Sequence, residues 1–147
     1  MENISRVGAW LRLLGWKVET NGNLLLKDSG ITVMQLRVFR YLRLHPEQAQ
    51  NTDIAAFFGV KHTSTIHVIK ALEEKGLVCR EELPHGHGKK IALTEAGRIL
   101  AMQNETVTDR MEAVMLKGFS DDEKAQLLTY MKRMNDNLDK GFDTEMH

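Results

Sequence analysis

The sequence predicts a mainly α-helical fold that contains one small β-hairpin. Apolar residues recur at helical spacing in both terminal regions, and two short extended runs in the middle flank a glycine-rich loop. The chain of 147 residues has only two prolines, Pro46 and Pro84. Long helices are therefore permitted, and each proline should mark a boundary between elements.

Two helices are predicted before residue 50. The first has apolar residues spaced alternately by three and four, which is typical of a seam between two helices: Ile4, Val7, Leu11, Leu14 and Val18. The second opens with the capping box Thr32-Val33-Met34-Gln35 and should stop near His45-Pro46.

The middle of the chain predicts a helix-turn-helix followed by a hairpin. A short helix from about Thr52 to Phe58 is interrupted by Gly59, and a longer helix runs from about His62 to Lys75, where Gly76 ends it. Extended runs at 77–83 and 89–93 then flank the loop 84–88. This order is that of a winged helix-turn-helix, whose second helix enters the major groove of duplex DNA.

The last part of the chain is predicted to be helical. Thr94 should cap a long helix that ends near Gly118, and Ser120-Asp121-Asp122-Glu123 forms a capping box for a final helix. We expect a single domain, 1–147, with a DNA-binding module at 31–93 and a helical dimerisation region at 1–30 and 94–140. The predicted dimer interface comprises Ile4, Val7, Leu11, Leu14, Leu127, Met131, Met134 and Leu138.

The longer helix of the pair has two distinct faces. At 100° per residue Thr65, Ile69 and Leu72 point inward, which leaves short hydroxyl side chains, an imidazole and a lysine outside. Such groups bind phosphates and base edges, although the same pattern fits a solvated helix face. The predicted DNA-binding residues are Lys61, His62, Thr63, Ser64, His67, Lys70, Lys89 and Lys90.

Composition limits the function in two ways. Lys+Arg and Asp+Glu both number 20, so the formal net charge is zero and DNA binding requires a local basic face. A winged-helix module that binds protein, with little DNA binding, therefore stays open. Cys79 is the only cysteine, which excludes an intrachain disulfide and, without an export or membrane segment, predicts a cytoplasmic protein with no membrane partner.

Several residues can be interpreted either as part of a ligand or reactive site or as ordinary structural residues. His85 and His87 are too few ligands for a closed metal site. Cys79 is interpreted as a small buried hydrophobe, because Arg80 next to it on a strand should face the other side. Gly8, Gly15 and Gly22 recur every seven residues, and indicate either a groove for a helix or an effector, or a coincidence with Gly22 in a loop.

An enzyme is not expected. The sequence contains no phosphate-binding glycine loop, no nucleophile elbow and no HExxH motif, and it predicts no cofactor.

From Thr32 to Leu138 the chain resembles the MarR family of winged helix-turn-helix transcription regulators. The resemblance rests on three segments: Gly59-Val60-Lys61-His62, Ala71-Leu72-Glu73-Glu74-Lys75-Gly76-Leu77-Val78 and Leu93-Thr94-Glu95-Ala96-Gly97-Arg98. It implies a homodimer on a palindromic operator, acting as a repressor that a small aromatic or lipophilic effector relieves. The family's wing often has an arginine that reaches the minor groove, whereas this loop has only Lys89 and Lys90 beside it, which meet phosphates as point charges.

Overall fold

The mainly α-helical class with one two-stranded antiparallel hairpin is confirmed by a computed structural model, which describes residues 5–47, 49–83 and 88–142. The elements are, in chain order, α1 (Val7–Leu25), α2 (Val33–Leu44), α3 (Asn51–Phe58), α4 (His62–Glu74), β1 (Val78–Glu82), β2 (Lys89–Leu93), α5 (Glu95–Gln103), α6 (Thr106–Met115) and α7 (Asp121–Gly141). No helix in the described ranges is long and apolar enough to cross a membrane.

The chain forms two compact units, Met1–Met111 and Glu112–His147. The first contains the hydrophobic core, in which α2 packs against α4, α5 and β2. Phe39, Ile54, Ile69 and Leu72 are completely buried there. The second contains the end of α6 and all of α7, a helix that has no buried residue in the single chain.

Capping side chains begin the helices where the sequence indicates. Thr32 Oγ1 accepts a hydrogen bond from the backbone N–H of Gln35 at 3.2 Å, and Gln35 Oε1 accepts one from the N–H of Thr32 at 3.1 Å. Ser120 and Glu123 form the same reciprocal pair at the start of α7. These hydrogen bonds from Ser120 lower the pKa of the Glu123 carboxyl, because they stabilise its charged form. Both predicted capping boxes are confirmed.

The single long helix predicted between Thr94 and Gly118 is wrong, because α5 and α6 are separate helices. The break lies at Asn104, whose side-chain Nδ2 donates to the Leu100 carbonyl at 2.9 Å. The N–H groups of Asn104 and Glu105 bond to carbonyls three residues back instead of four, at 3.3 and 3.5 Å. An asparagine side chain that bonds to a backbone carbonyl of the preceding turn competes with the helical ladder in this way.

The alternative that Gly22 lies in a loop is also wrong, because α1 continues to Leu25. Gly22 is buried, and a Cβ at this position would collide with the side chain of Val33. Asn23 Oδ1 accepts from the N–H of Val33 at 2.8 Å, which ties α1 to the start of α2. By contrast, a Cβ at Gly8 or Gly15 would meet nothing within 4 Å.

The hairpin is attached to the module by four residues that we call the hairpin junction: Gly76, Leu77, Thr94 and Gly97. Gly76 ends α4 with φ 72°, and the N–H of Leu77 bonds back to the Leu72 carbonyl at 2.9 Å. Thr94 donates from its hydroxyl to the Gly76 carbonyl at 2.7 Å and from its N–H to the Leu77 carbonyl at 3.1 Å. A Cβ on Gly97 would collide with that Leu77 carbonyl oxygen, so α5 can approach β1 only with glycine here.

Gly97→Ala should therefore destabilise the protein by about 1–3 kcal/mol, since the added methyl must push α5 away from β1. Urea unfolding followed by circular dichroism measures the change. The control is Ala96→Ser on the exposed neighbouring position, which should shift stability by no more than about 0.5 kcal/mol. Equal stability of Gly97→Ala and the wild type would show that the close approach at the hairpin junction is not required.

Candidate nucleic-acid interface

The turn between α3 and α4 depends on Gly59. Its backbone is left-handed, with φ 63° and ψ 30°, a region that glycine enters without a steric penalty. The N–H of Val60 reaches back to the Ala55 carbonyl at 3.1 Å, which closes the end of α3. The chain then leaves in the direction of α4, so this glycine sets the angle of the helix pair.

The structure confirms the two faces of α4. Thr65, Ile69 and Leu72 are buried against the core, with at most 3% of each residue exposed. Ile66 is 37% exposed on the outer side of the helix. The six predicted DNA-binding residues of this region lie on the same side, and we call these six the α4 face: Lys61, His62, Thr63, Ser64, His67 and Lys70.

The two wing lysines differ in their surroundings. Lys89 lies opposite Glu82 in the hairpin; its Nζ is 3.8 Å from Glu82 Oε1, and 56% of its side chain is exposed. The Nζ of Lys90 donates to the Pro46 carbonyl at 3.1 Å and lies 3.6 Å from Glu81 Oε2, with 18% of its side chain exposed. Lys89 is therefore available to a ligand, whereas Lys90 holds the hairpin to the segment after α2.

His85, His87 and Cys79 were the residues considered for metal binding or thiol reactivity. His85 and His87 lie outside the described residues. Cys79 is half-buried, not buried as predicted, and its Sγ lies 4.0 Å from Glu81 Oε1. Arg80 points to Glu73 instead, at 3.3 Å. Among residues 5–47, 49–83 and 88–142, no group of three histidine, cysteine or acidic side chains could hold a metal ion.

A groove in the first unit was not foreseen from the sequence. It has a volume of about 880 Å³ and is lined by residues of α1, α2, α3, α5 and α6. The α2 side of the groove carries Arg37 and Arg40, and Tyr41 and Phe57 lie in contact, with ring centroids 4.9 Å apart. Burial and the nearby Asp53 carboxylate raise the pKa of the Tyr41 hydroxyl. The sequence signal that could have predicted this groove is the pair of arginines spaced by three on α2, a helix that otherwise contributes core residues.

The residues predicted to form a dimer interface are uncovered in the single chain. In α1, Val7, Leu11 and Leu14 are 60%, 42% and 41% exposed. In α7, Met131 and Leu138 are 39% and 67% exposed, and Leu127 and Met134 are half-buried. Ile4 lies outside the described residues.

Comparison with known proteins shows a family match over part of the chain. Residues 29–87, which include the helix-turn-helix and β1, match the sequence model of the MarR family. The resemblance to this family is therefore confirmed over these residues, which include two of the three segments that carry it. The chain has the winged helix fold of solved MarR-type structures.

Solved MarR-type structures share this fold over almost the whole chain. The Staphylococcus aureus MepR–DNA complex is 22% identical and covers 93% of this chain and 99% of its own, with a TM-score of 0.85. A MarR/EmrR family regulator from Acinetobacter sp. ADP1 is 22% identical over 95% and 99%, with a TM-score of 0.86. CouR from Rhodococcus jostii RHA1, solved with p-coumaroyl-CoA, is 24% identical over 91% and 92%, with a TM-score of 0.77.

Proposed function

We propose that this protein is a MarR-family, sequence-specific DNA-binding transcription regulator, a homodimeric repressor that a small-molecule effector releases from its operator. The observation that carries the proposal is the α4 face, because it presents every predicted contact residue of the helix on one exposed surface. A protein of the same fold has been solved bound to DNA. Such a regulator acts where the chromosome is, in the cytoplasm.

The chemistry of the α4 face suits a major groove. Thr63 and Ser64 are short hydroxyl side chains that allow the helix backbone to come close to the bases. His67, in the middle of the face, can donate to or accept from a base edge. Lys61 and Lys70 lie towards the two ends, where cations meet phosphates.

Dimerisation would use the uncovered apolar residues of α1 and α7. A monomer would leave both sets in water, at the cost that accompanies large exposed apolar patches. Pairing through a two-fold axis would bury them and would place two α4 helices on successive turns of a palindromic operator.

The groove in the first unit supports control by an effector. Its volume of about 880 Å³ lies within the range of small-molecule sites, which extends from roughly 300 to 1,000 Å³. Aromatic rings, three guanidinium groups and the carboxylates of Glu105 and Asp109 line it. Arg43 pairs with Glu105, whereas in the described part of the chain neither Arg37 nor Arg40 pairs with a carboxylate. This lining favours an aromatic molecule that carries negative charge. Because Phe57 and Phe58 of α3 also line the groove, a bound ligand would alter the helix-turn-helix directly.

The alternative function is a winged module that binds protein. The zero net charge favours it, and so do the wing lysines, each of which already has a carboxylate within 4 Å. The salt dependence of affinity distinguishes the two functions, because DNA binding releases counterions and protein binding by an apolar surface does not. Salt-independent or absent binding to random duplex DNA would favour the protein-binding module.

Met131→Asp should dissociate the dimer or unfold the chain, because it places a carboxylate among apolar side chains at the interface. Light scattering at micromolar concentration measures the mass. The control is Thr129→Asp, an exposed position on the opposite side of α7, which should stay dimeric. A dimer that tolerates Met131→Asp without loss of stability would exclude α7 as the interface.

His67→Ala should reduce discrimination between operator and random duplex by about 1–3 kcal/mol if the imidazole reads a base. The operator is first selected from a random duplex library, and affinities are then measured by fluorescence anisotropy. His45→Ala, which lies outside the α4 face, should leave discrimination unchanged. An equal loss on both duplexes assigns His67 to the backbone, and no loss on either removes it from the interface.

Lys89→Ala should flatten the salt dependence of DNA binding. Each lost phosphate contact lowers the slope of log affinity against log salt by about 0.9, so one contact per protomer gives about 2 for the dimer. Lys90→Ala is the matched comparison. Because Lys90 is held by Pro46 and Glu81, it should leave the slope nearly unchanged and lower the stability of the hairpin.

Both variants are measured on operator and on scrambled duplex in a salt titration. An unchanged slope for Lys89→Ala would mean that the wing does not touch the backbone. A loss confined to the operator would mean that the wing reads groove shape despite its lack of arginine.

A further inference from the structure

The α4 face has few permanent charges. It contains no arginine among the described residues, and its permanent cations are Lys61 and Lys70. Two more side chains, His62 and His67, are exposed on the same face and can each gain a proton. Protonation of both would double the positive charge of the face, from two to four per protomer. Since the chain as a whole has no net charge, such a local change matters more here than in a strongly basic protein.

No acidic side chain lies next to the two imidazoles along α4. The residues three and four positions from His67 are Thr63, Ser64, Lys70 and Ala71, and those that follow His62 at the same spacing are Thr65 and Ile66. The acidic residues of the helix, Glu73 and Glu74, lie at its far end, where Glu73 pairs with Arg80.

The acidic residues of α3 and β1, two elements that pack against α4, interact with groups other than the two imidazoles. The one acidic residue of α3, Asp53, accepts a hydrogen bond from the N–H of Gln50 at the start of its own helix. In β1, Glu81 and Glu82 lie within 4 Å of Lys90 and Lys89. The titratable and charged residues of α2 are Arg37, Arg40, Tyr41 and Arg43. None of these contacts gives His62 or His67 an intramolecular carboxylate, so the nearest dense negative charge would be that of the DNA.

We propose that His62 and His67 bind DNA in their protonated form, so that operator binding takes up protons and becomes tighter as the pH falls. The inference rests on the proposed function, since it concerns the same face. Phosphates stabilise the imidazolium form, and histidine is the side chain that changes charge between pH 5 and 8. A group that is more basic in the complex adds affinity at low pH, and this contribution is lost as the pH rises through the range of the bound form.

Proton uptake also changes how salt acts on binding. Each imidazolium that meets a phosphate releases a counterion, as a lysine does, and the neutral imidazole does not. The salt slope should therefore be steeper at pH 6 than at pH 8, by about 2 if one histidine per protomer meets a phosphate. A merely structural role for the two histidines would leave the slope unchanged with pH.

The experiment uses the full-length protein and a duplex selected for tight binding. Fluorescence anisotropy gives affinities for this duplex and for a scrambled one at pH 6 and pH 8, each over a series of salt concentrations. Calorimetry in buffers of different ionisation enthalpy counts the protons taken up by the wild type, which needs no variant. One proton per dimer changes affinity by up to about tenfold per pH unit, so we expect at least a tenfold gain at pH 6.

Three variants locate the effect. The double variant His62→Gln, His67→Gln should lose the pH dependence and the proton uptake, while circular dichroism shows that it is folded. His45→Gln and the double variant His85→Gln, His87→Gln should both keep the pH dependence of the wild type.

Operator binding with equal affinity and slope at both pH values would overturn this inference and leave the proposed function standing. A pH dependence that survives in the His62, His67 double variant, or that disappears in the His85, His87 variant, would also overturn it. Failure to bind any duplex at either pH would overturn the proposed function as well.

Discussion

The close approach of α5 to the start of β1 is the contact on which the arrangement of this module depends. Gly97 allows the Leu77 carbonyl to lie against the helix, and Thr94 bonds to both Gly76 and Leu77. Gly76 also ends α4, so the same few residues stop the helix that carries the α4 face and start the hairpin that carries Lys89. Two of the three sequence segments that resemble the MarR family meet here, which gives a physical reason why they occur together.

The chain has no net charge, but its charged side chains are unevenly distributed over the surface. The acidic residues of the hairpin lie beside its lysines, and Glu73 lies beside Arg80, so these pairs cancel at short range. Such exposed pairs contribute little to stability. The α4 face is a surface of lysines, hydroxyls and imidazoles, and the acidic residues of its helix, Glu73 and Glu74, lie beyond Lys70 at the far end. The DNA affinity proposed here therefore depends on a few side chains.

The apolar side chains divide into a core and an uncovered set. Within the first unit, α2, α4 and the hairpin contribute core residues that are almost completely buried, such as Phe39, Ile69 and Ile91. Several apolar residues of α1 and α7 remain exposed in the single chain, among them Leu11, Leu14 and Met131, as expected of surfaces that a partner covers. The groove lined by α2 and α3 is a third feature, and its arginines and aromatic rings connect the proposed effector site to the helix that precedes α4.

The sequence by itself determined the features that depend on neighbouring residues. The capping residues Thr32 and Ser120, the glycines that end α3 and α4, the inward and outward faces of α4 and the pairing of the two strands all follow from local hydrogen bonds and helical spacing. Only the tertiary structure decided the rest, because it depends on residues distant in the chain. Lys90 turns away from solvent because Pro46, 44 positions earlier, offers its carbonyl. The groove exists because α1, α2, α3, α5 and α6 meet around it, and position 22 requires glycine because Val33 occupies the space that a side chain would need.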